Sequence, residues 1–230
     1  MVLAVCLLPA AAAALDAFPP APATTMSPLM RVSQPWAAAS LGSIDPGVLK
    51  LAITAATCAI RSGVVADART LTVIDYSRPS SEERFWVFDL ETHSLLYQEL
   101  VAHGRGSGEL LATAFSNESG THASSLGLFA TAGAYVGHNG YSLRLNGLDR
   151  GFNDRALERA IVLHGAPYVS PAFVTTRGRL GLSWGCPALR EGVVREVIDR
   201  VKGSGLLFAY YPDAEWLRVS RYLGTCDATP

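Results

Sequence analysis

Apolar residues recur at helical spacing near the start of the folded part of the chain: Val48, Leu49, Ala52, Ile53, Ala56, Ala59 and Ile60 share one face. Asp45 offers an N-cap carboxylate, Pro46 suits the first helical position, and Gly63 ends the run, so a helix is predicted over 45–63. From Leu71 the pattern changes to short β-like runs: 71–74, 85–88, 95–101, 127–131, 141–145, 160–164 and 206–211. Turn formers such as Ser80, Gly104, Gly106, Gly108, Gly120 and Gly147 bound them. One further apolar stripe, Val193, Val194, Val197, Ile198 and Val201, predicts a helix over 193–201. Many short strands with few helices imply a mainly β fold, a β-sandwich or barrel of mixed sheets with a few minor helices.

The two ends read differently from this middle. Residues 1–14 carry an apolar run, Val2 to Leu8, followed by small residues, as in a secretory signal peptide without its basic n-region. The run is too short to span a bilayer, so no stable membrane span is expected. Residues 15–44, with Pro19, Pro20, Pro22, Pro28 and Pro35 among Ala, Ser and Thr, read as a disordered tether. The catalytic domain is then expected over 45–212, with a C-terminal tail over 213–230.

Composition narrows the function classes. The chain has 230 residues, 49% of them hydrophobic, and a formal net charge of -1. That is enough for one sizeable core, and the balanced charge gives no field to recruit nucleic acid or an anionic membrane. If Cys6 leaves with the signal, Cys58, Cys186 and Cys226 remain, an odd number that points to one structural pair and one free thiol. Cys186 is nominated below as the free thiol, leaving Cys58–Cys226 as the candidate disulfide of an exported protein.

Cys186 stands in Ser183-Trp184-Gly185-Cys186-Pro187. Glycine before it and proline after it fix a tight turn that can present a thiol with neighbouring amides aimed the same way. The N–H groups of Gly185 and Cys186 are the expected oxyanion hole of an acyl-transfer enzyme. A thiol near pKa ~8.5 is scarcely ionised at neutral pH and needs a base. His164, at the end of the apolar run 160–163 and followed by Gly165, is placed to be that base. The other histidines, His93, His103, His122 and His138, form no zinc-type spacing, so a zinc site is not expected. The glycine-rich stretch 103–108 lacks the Lys-Ser/Thr ending of a phosphate loop and reads as a turn near the site.

Leu163-His164-Gly165 followed by Ser183-Trp184-Gly185-Cys186 resembles the signature of the bacterial murein L,D-transpeptidases, the YkuD-type fold. Ser124 to Phe129 is similar to that family's strand-entering Thr-Pro-x-Gly-x-Phe segment. The stretches 74–80, 103–108, 115–117 and 151–154 resemble the sub-branch that carries Ser-Trp-Gly-Cys-Pro-Ala. Two positions depart from the family pattern: Trp184 stands where His is usual, and Ala188 where Arg or Asn is usual. Arg190 or Arg179 is available to replace the missing polar group, and the His-to-Cys loop is long enough for 168–179 to form a separate substrate wall or lid.

The resemblance implies a cysteine-dependent acyltransferase of the bacterial periplasm or cell envelope, acting on peptidoglycan stem peptides without a metal or organic cofactor. Cys186 would attack the third-residue carbonyl of a tetrapeptide, with His164 supplying the leaving-group proton and an acceptor amine resolving the thioester. Gly165, Tyr168, Ser183 and Trp184 are the implied substrate contacts. The family's histidine is held by a main-chain or other polar acceptor in place of a clear Asp. Water as acceptor would make the protein an L,D-carboxypeptidase. A lipoprotein lysine or a free D-amino acid would make it an anchoring or exchange enzyme. A wall-binding module without catalysis and a thiol protease of ordinary peptides are the readings from other classes.

Overall fold

The structure is a computed structural model that describes residues 26–33, 35–37, 41–224 and 226. The expected signal peptide and residues 15–25 of the expected tether lie outside the described residues. No helix among the described residues is long and apolar enough to cross a membrane.

Within the stretch expected as tether, Pro28–Ser33 forms a short helix, α1. Its Val32 is fully buried, and Arg31 pairs with Asp67 at 3.0 Å. Just beyond it, Trp36 packs edge-on against Phe88. Two apolar anchors, Val32 and Trp36, are therefore enough to dock this part of a Pro- and Ala-rich segment, which composition alone does not reveal. Helix α2, Pro46–Arg61, begins as expected, with the Asp45 carboxylate accepting from the N–H groups of Gly47 and Val48 at 2.7 and 3.1 Å. Its buried face includes Val48, Leu49, Ala52 and Ala56, each larger side chain contributing roughly 1.5–3 kcal/mol when removed from water.

Eight strands follow: β1 Thr70–Asp75, β2 Phe85–Asp89, β3 Ser94–Glu99, β4 Gly127–Gly137, β5 Gly140–Gly147, β6 Val162–Gly165, β7 Ala188–Leu189 and β8 Gly205–Tyr210. Three more helices complete the chain: α3 Pro171–Arg177, α4 Glu191–Val201 and α5 Ala214–Val219. All strands join one sheet in the order β3-β2-β1-β8-β4-β5-β6-β7. The β1–β8 and β6–β7 pairs are parallel and the others antiparallel. The expected mixed sheets are thus a single mixed sheet, and it is nearly closed into a barrel. Ala102, just past β3, bridges Ala188 of β7 at the opposite edge, and Arg190 pairs with Glu99 at 2.7 Å beside that seam. Closure of this kind removes the exposed edges that would otherwise invite pairing with another chain.

Every residue of β1 and β2 is buried, as expected for strands covered on both faces. Helix α2 lies against β1 and β8, and α4 lies chiefly against β6, burying Val193, Val194, Val197, Ile198 and Val201. Residues 213–224 and 226 of the segment expected as a C-terminal tail are docked. Asp213 caps α5, whose Trp216 is fully buried against Phe208. Cys226 is disulfide-bonded to Cys58 of α2, as the cysteine count implied, with Cα atoms 5.4 Å apart.

Candidate active site

The site forms where the strand end at His164 meets the turn 183–187. His164 pairs with Ala188 across β6–β7, and its N–H donates to Pro187 O at 3.3 Å. This backbone pairing fixes the thiol-bearing turn beside the histidine. The turn is supported from below: Ser183 N–H donates to His103 O at 3.0 Å, and Arg105 N–H donates to Ser183 O at 2.8 Å. Ser124 Oγ donates to Gly185 O at 3.0 Å and accepts from Gly104 N–H at 2.9 Å.

Gly185 has φ of +112°, and a Cβ there would lie 2.8 Å from Ala123 O. Both facts require glycine: the angle is rarely open to L side chains, and the obstructing atom is backbone. The Gly185 N–H points at Ser183 Oγ, 3.2 Å away, while that hydroxyl donates to Cys186 O at 2.6 Å. Of the two amides expected as an oxyanion hole, Gly185 is therefore committed to a neighbour. For the Cys186 N–H no internal acceptor is found among the described residues.

Cys186 is the unpaired cysteine of the described residues and is only 8% exposed. Its sulfur accepts from Val162 N–H at 3.4 Å, and its thiol donates to Ala160 O at 3.6 Å. Burial pushes the thiol pKa up, opposed by the Val162 N–H and by the Arg159 charge. His164 Nδ1 lies 2.9 Å from Gly165 O. A carbonyl can only accept, so Nδ1 carries the proton and Nε2 is left as a bare acceptor in the neutral ring. Burial holds the imidazole below its ordinary pKa, and the Gly165 carbonyl opposes this. At neutral pH the resting state is thus a neutral thiol and a neutral imidazole. No hydrogen bond joins them; the thiol is turned towards Ala160 and Val162.

Two clefts meet at Cys186. One, of about 280 Å³, is lined by His138, Asn139, His164, Tyr168, Leu182, Ser183, Trp184 and Cys186. The other, of about 380 Å³, is lined by Ser119, Gly120, His122, Asn139, Glu158, Arg159, Ala160, Trp184 and Cys186. Trp184 divides them, 70% exposed and stacked on His122 with ring centroids 5.0 Å apart. Asn139, which also lines both clefts, comes from the tip of the β4–β5 hairpin, whose strands run out to a two-residue loop, His138-Asn139.

Of the implied substrate contacts, Tyr168, Ser183 and Trp184 line the first cleft. Gly165 does not. Its carbonyl holds His164, and a Cβ there would meet Val194 at 2.8 Å, so its size serves packing under α4. Arg190 and Arg179 line neither cleft; Glu99 and Glu109 respectively pair with them. Of the segment 168–179 only Tyr168 lines a cleft; it lies against Gly181, and Ser170 caps the α3 that follows. The residues that sequence reading missed are His138, Asn139, His122 and Arg159.

His103 is fully buried beneath the turn. Its Nδ1 accepts from Arg84 at 2.7 Å and its Nε2–H donates to Gly108 O at 3.1 Å. Burial, aided by the Arg84 charge, depresses its pKa to about 4. Arg84, also fully buried, donates to the carbonyls of Val101 and Arg78 at 2.8–3.1 Å. Among the described residues no three His, Cys, Asp or Glu side chains are grouped to hold a metal ion.

Residues 41–210 match the model of the L,D-transpeptidase catalytic domain. No curated protein matches the chain. Similar solved structures include an L,D-transpeptidase from Mycobacterium smegmatis, at 14% identity and TM-score 0.38, over 63% of this chain and 59% of that one. One from Mycobacterium tuberculosis H37Rv aligns at 12% identity and TM-score 0.40, over 62% and 58%. L,D-transpeptidase 3 from Mycobacterium tuberculosis, in complex with a faropenem-derived adduct, aligns at 13% identity and TM-score 0.39, over 62% and 60%. The chain thus spans about three-fifths of the length of these structures.

Proposed function

Because the chain belongs to the L,D-transpeptidase catalytic domain family, we propose that it is an exported peptidoglycan L,D-transpeptidase with Cys186 as nucleophile and His164 as general base and acid. The observation that carries this reading is the position of Cys186, an unpaired thiol at the junction of two clefts with a neutral imidazole in one of them.

In the reaction the thiol leaves its shelter between Ala160 and Val162, gives its proton to His164 Nε2, and its sulfur attacks the third-residue carbonyl of a tetrapeptide stem. The oxyanion is received by the Cys186 N–H, the amide without an internal acceptor. Collapse breaks the C–N bond, His164 returns the proton to the leaving amine of D-Ala, and a thioester on Cys186 remains. An acceptor amine then loses its proton to His164, attacks the thioester, and expels the Cys186 sulfur. Two clefts at one sulfur leave room for a peptide on either side of the scissile bond. The Gly165 carbonyl does the work of an acid partner, holding the ring in the tautomer that can accept at Nε2. The Cys58–Cys226 disulfide supports an oxidising compartment, in keeping with the periplasm or cell envelope.

The test is incubation with a disaccharide-tetrapeptide followed by mass spectrometry. Release of D-Ala together with a cross-linked dimer is expected from the wild type, and neither from Cys186→Ala. Tripeptide without dimer would instead establish an L,D-carboxypeptidase. An untouched substrate would leave the non-catalytic module.

A further inference from the structure

The second cleft holds a charge that the proposed mechanism does not use. Arg159 lines it together with Cys186, and its neighbour Ala160 provides the carbonyl that shelters the thiol. Its guanidinium donates to Ser116 O and Ser125 Oγ at 2.5 Å each and to Ala123 O at 2.7 Å. Ala123 O is the same atom that would obstruct a side chain on Gly185, so the guanidinium is one carbonyl away from the turn. Three of its five N–H donors are used, all on neutral oxygens; no carboxylate forms an ion pair with it among the described residues, and Glu118, whose charge reaches it, is paired with Arg155. The acidic residue lining this cleft, Glu158, is already answered by Arg155 at 2.8 Å. The cleft therefore offers an anion a fixed, half-buried cation with two free donors.

The direction of proton transfer says which part of the substrate meets it. His164 must reach both the departing and the incoming amine, so those amine-bearing groups occupy the His164 cleft. The remainder of the acyl residue is left for the cleft on the other side of Trp184. Resting on the transpeptidase reading above, we propose that Arg159 binds the side-chain carboxylate of the acyl-donor residue, selecting a third stem residue with a free side-chain carboxylate over one in which that group is amidated or absent. A guanidinium is the side chain best matched to this task, since its hydrogen bonds to a carboxylate are charge-assisted and geometrically fixed. Arg159 and Cys186 also lie within electrostatic reach, each charge favouring the other.

The experiment compares three tetrapeptides with wild type, Arg159→Gln and Arg159→Lys. One peptide has the free side-chain carboxylate, one has that group amidated, and one has the terminal D-Ala carboxylate amidated. For the wild type, amidation of the side chain is expected to lower kcat/KM about tenfold or more, mainly through KM. Arg159→Gln should lose that preference, accepting both side-chain forms at a similarly reduced rate, while Arg159→Lys keeps part of it. A purely structural role, through the carbonyls of the 116–125 loop, would instead depress all three peptides equally. That result overturns the inference. If Arg159→Gln does not fold, the wild type still decides: equal kcat/KM for the free and amidated side chains refutes it. A preference that follows the D-Ala carboxylate also refutes it, by assigning Arg159 to the leaving group. No turnover of any peptide would sink the transpeptidase reading and this inference with it, whereas turnover without discrimination sinks this inference alone.

Discussion

The β1–β2 end of the sheet and the β6–β7 rim are held by different forces. In β1 and β2 all eleven positions are buried, and stability there is spread over many apolar contacts. At the rim, backbone pairing of β6 with β7 sets the strand ends, and the thiol-bearing turn and the imidazole depend in addition on single side-chain hydrogen bonds: Ser183 to the Cys186 carbonyl, Ser124 to Gly185, and His164 to Gly165. The core end, with α2 and its disulfide, determines whether the chain is folded. The rim determines whether a folded chain has a usable thiol. Damage to one should leave the other readable.

The largest effect on stability is expected from the disulfide, which joins residues 168 apart in sequence. Closing so long a loop stabilises by up to about 5 kcal/mol in the chain-entropy picture, with about 2–5 kcal/mol the usual measured range. The double variant Cys58→Ser/Cys226→Ser should lower the urea midpoint accordingly while keeping its rate of acyl transfer below the transition. A loss of rate without a loss of stability would erase the distinction between the two regions.

Gly185→Val tests the rim. The positive φ and the Ala123 carbonyl both oppose a side chain, so the turn must shift and displace the Cys186 N–H. Losing an oxyanion donor costs about 2.7–4 kcal/mol of barrier, which is a fall of 10²–10³ in the acylation rate. Stopped-flow acylation alongside thermal melting checks this, and the melting point should fall far less than the rate.

A smaller effect lies where the regions meet, at His103. Its folded pKa, about 4, is below the ordinary value of 6.5, so the native state prefers it neutral. Its contribution is complete above pH 6.5 and is lost as the pH falls towards 4, because the unfolded chain takes up the proton first. Unfolding at pH 4.5 should be easier than at pH 7 by about 2–3 kcal/mol from this group. Urea titrations of His103→Gln at the two pH values should show that part of the slope missing.

These contrasts explain which parts were legible in the sequence. Helix α2 was readable because Asp45, Pro46 and Gly63 mark its ends and its apolar residues keep one period. The stripe 193–201 likewise became α4, two residues longer at its start. Strand β4 was expected to stop at Thr131 but runs to Gly137, because its outer half leaves the core and loses the alternation that betrays a strand. The Asn139-Gly140 pair, a hairpin signature between two apolar runs, was the available clue to the tip that lines both clefts. Cys186 and His164 stood out by motif, and the structure brings them to one cleft. Arg159 did not stand out, because the placement of its guanidinium depends on a carbonyl-lined loop more than thirty residues away in sequence. The commitment of the Gly185 amide to Ser183 was hidden for a similar reason, since a local side-chain bond leaves no trace in residue order.

The most direct measurement is the intact mass of the protein after incubation with a carbapenem, which offers the thiol of Cys186 a strained acyl group to open. The expected result is a mass increase of one carbapenem, mapped by peptide digestion to Cys186 and absent from Cys186→Ala. No adduct, or one located on Cys58 or Cys226, would contradict the assignment of Cys186 as the nucleophile.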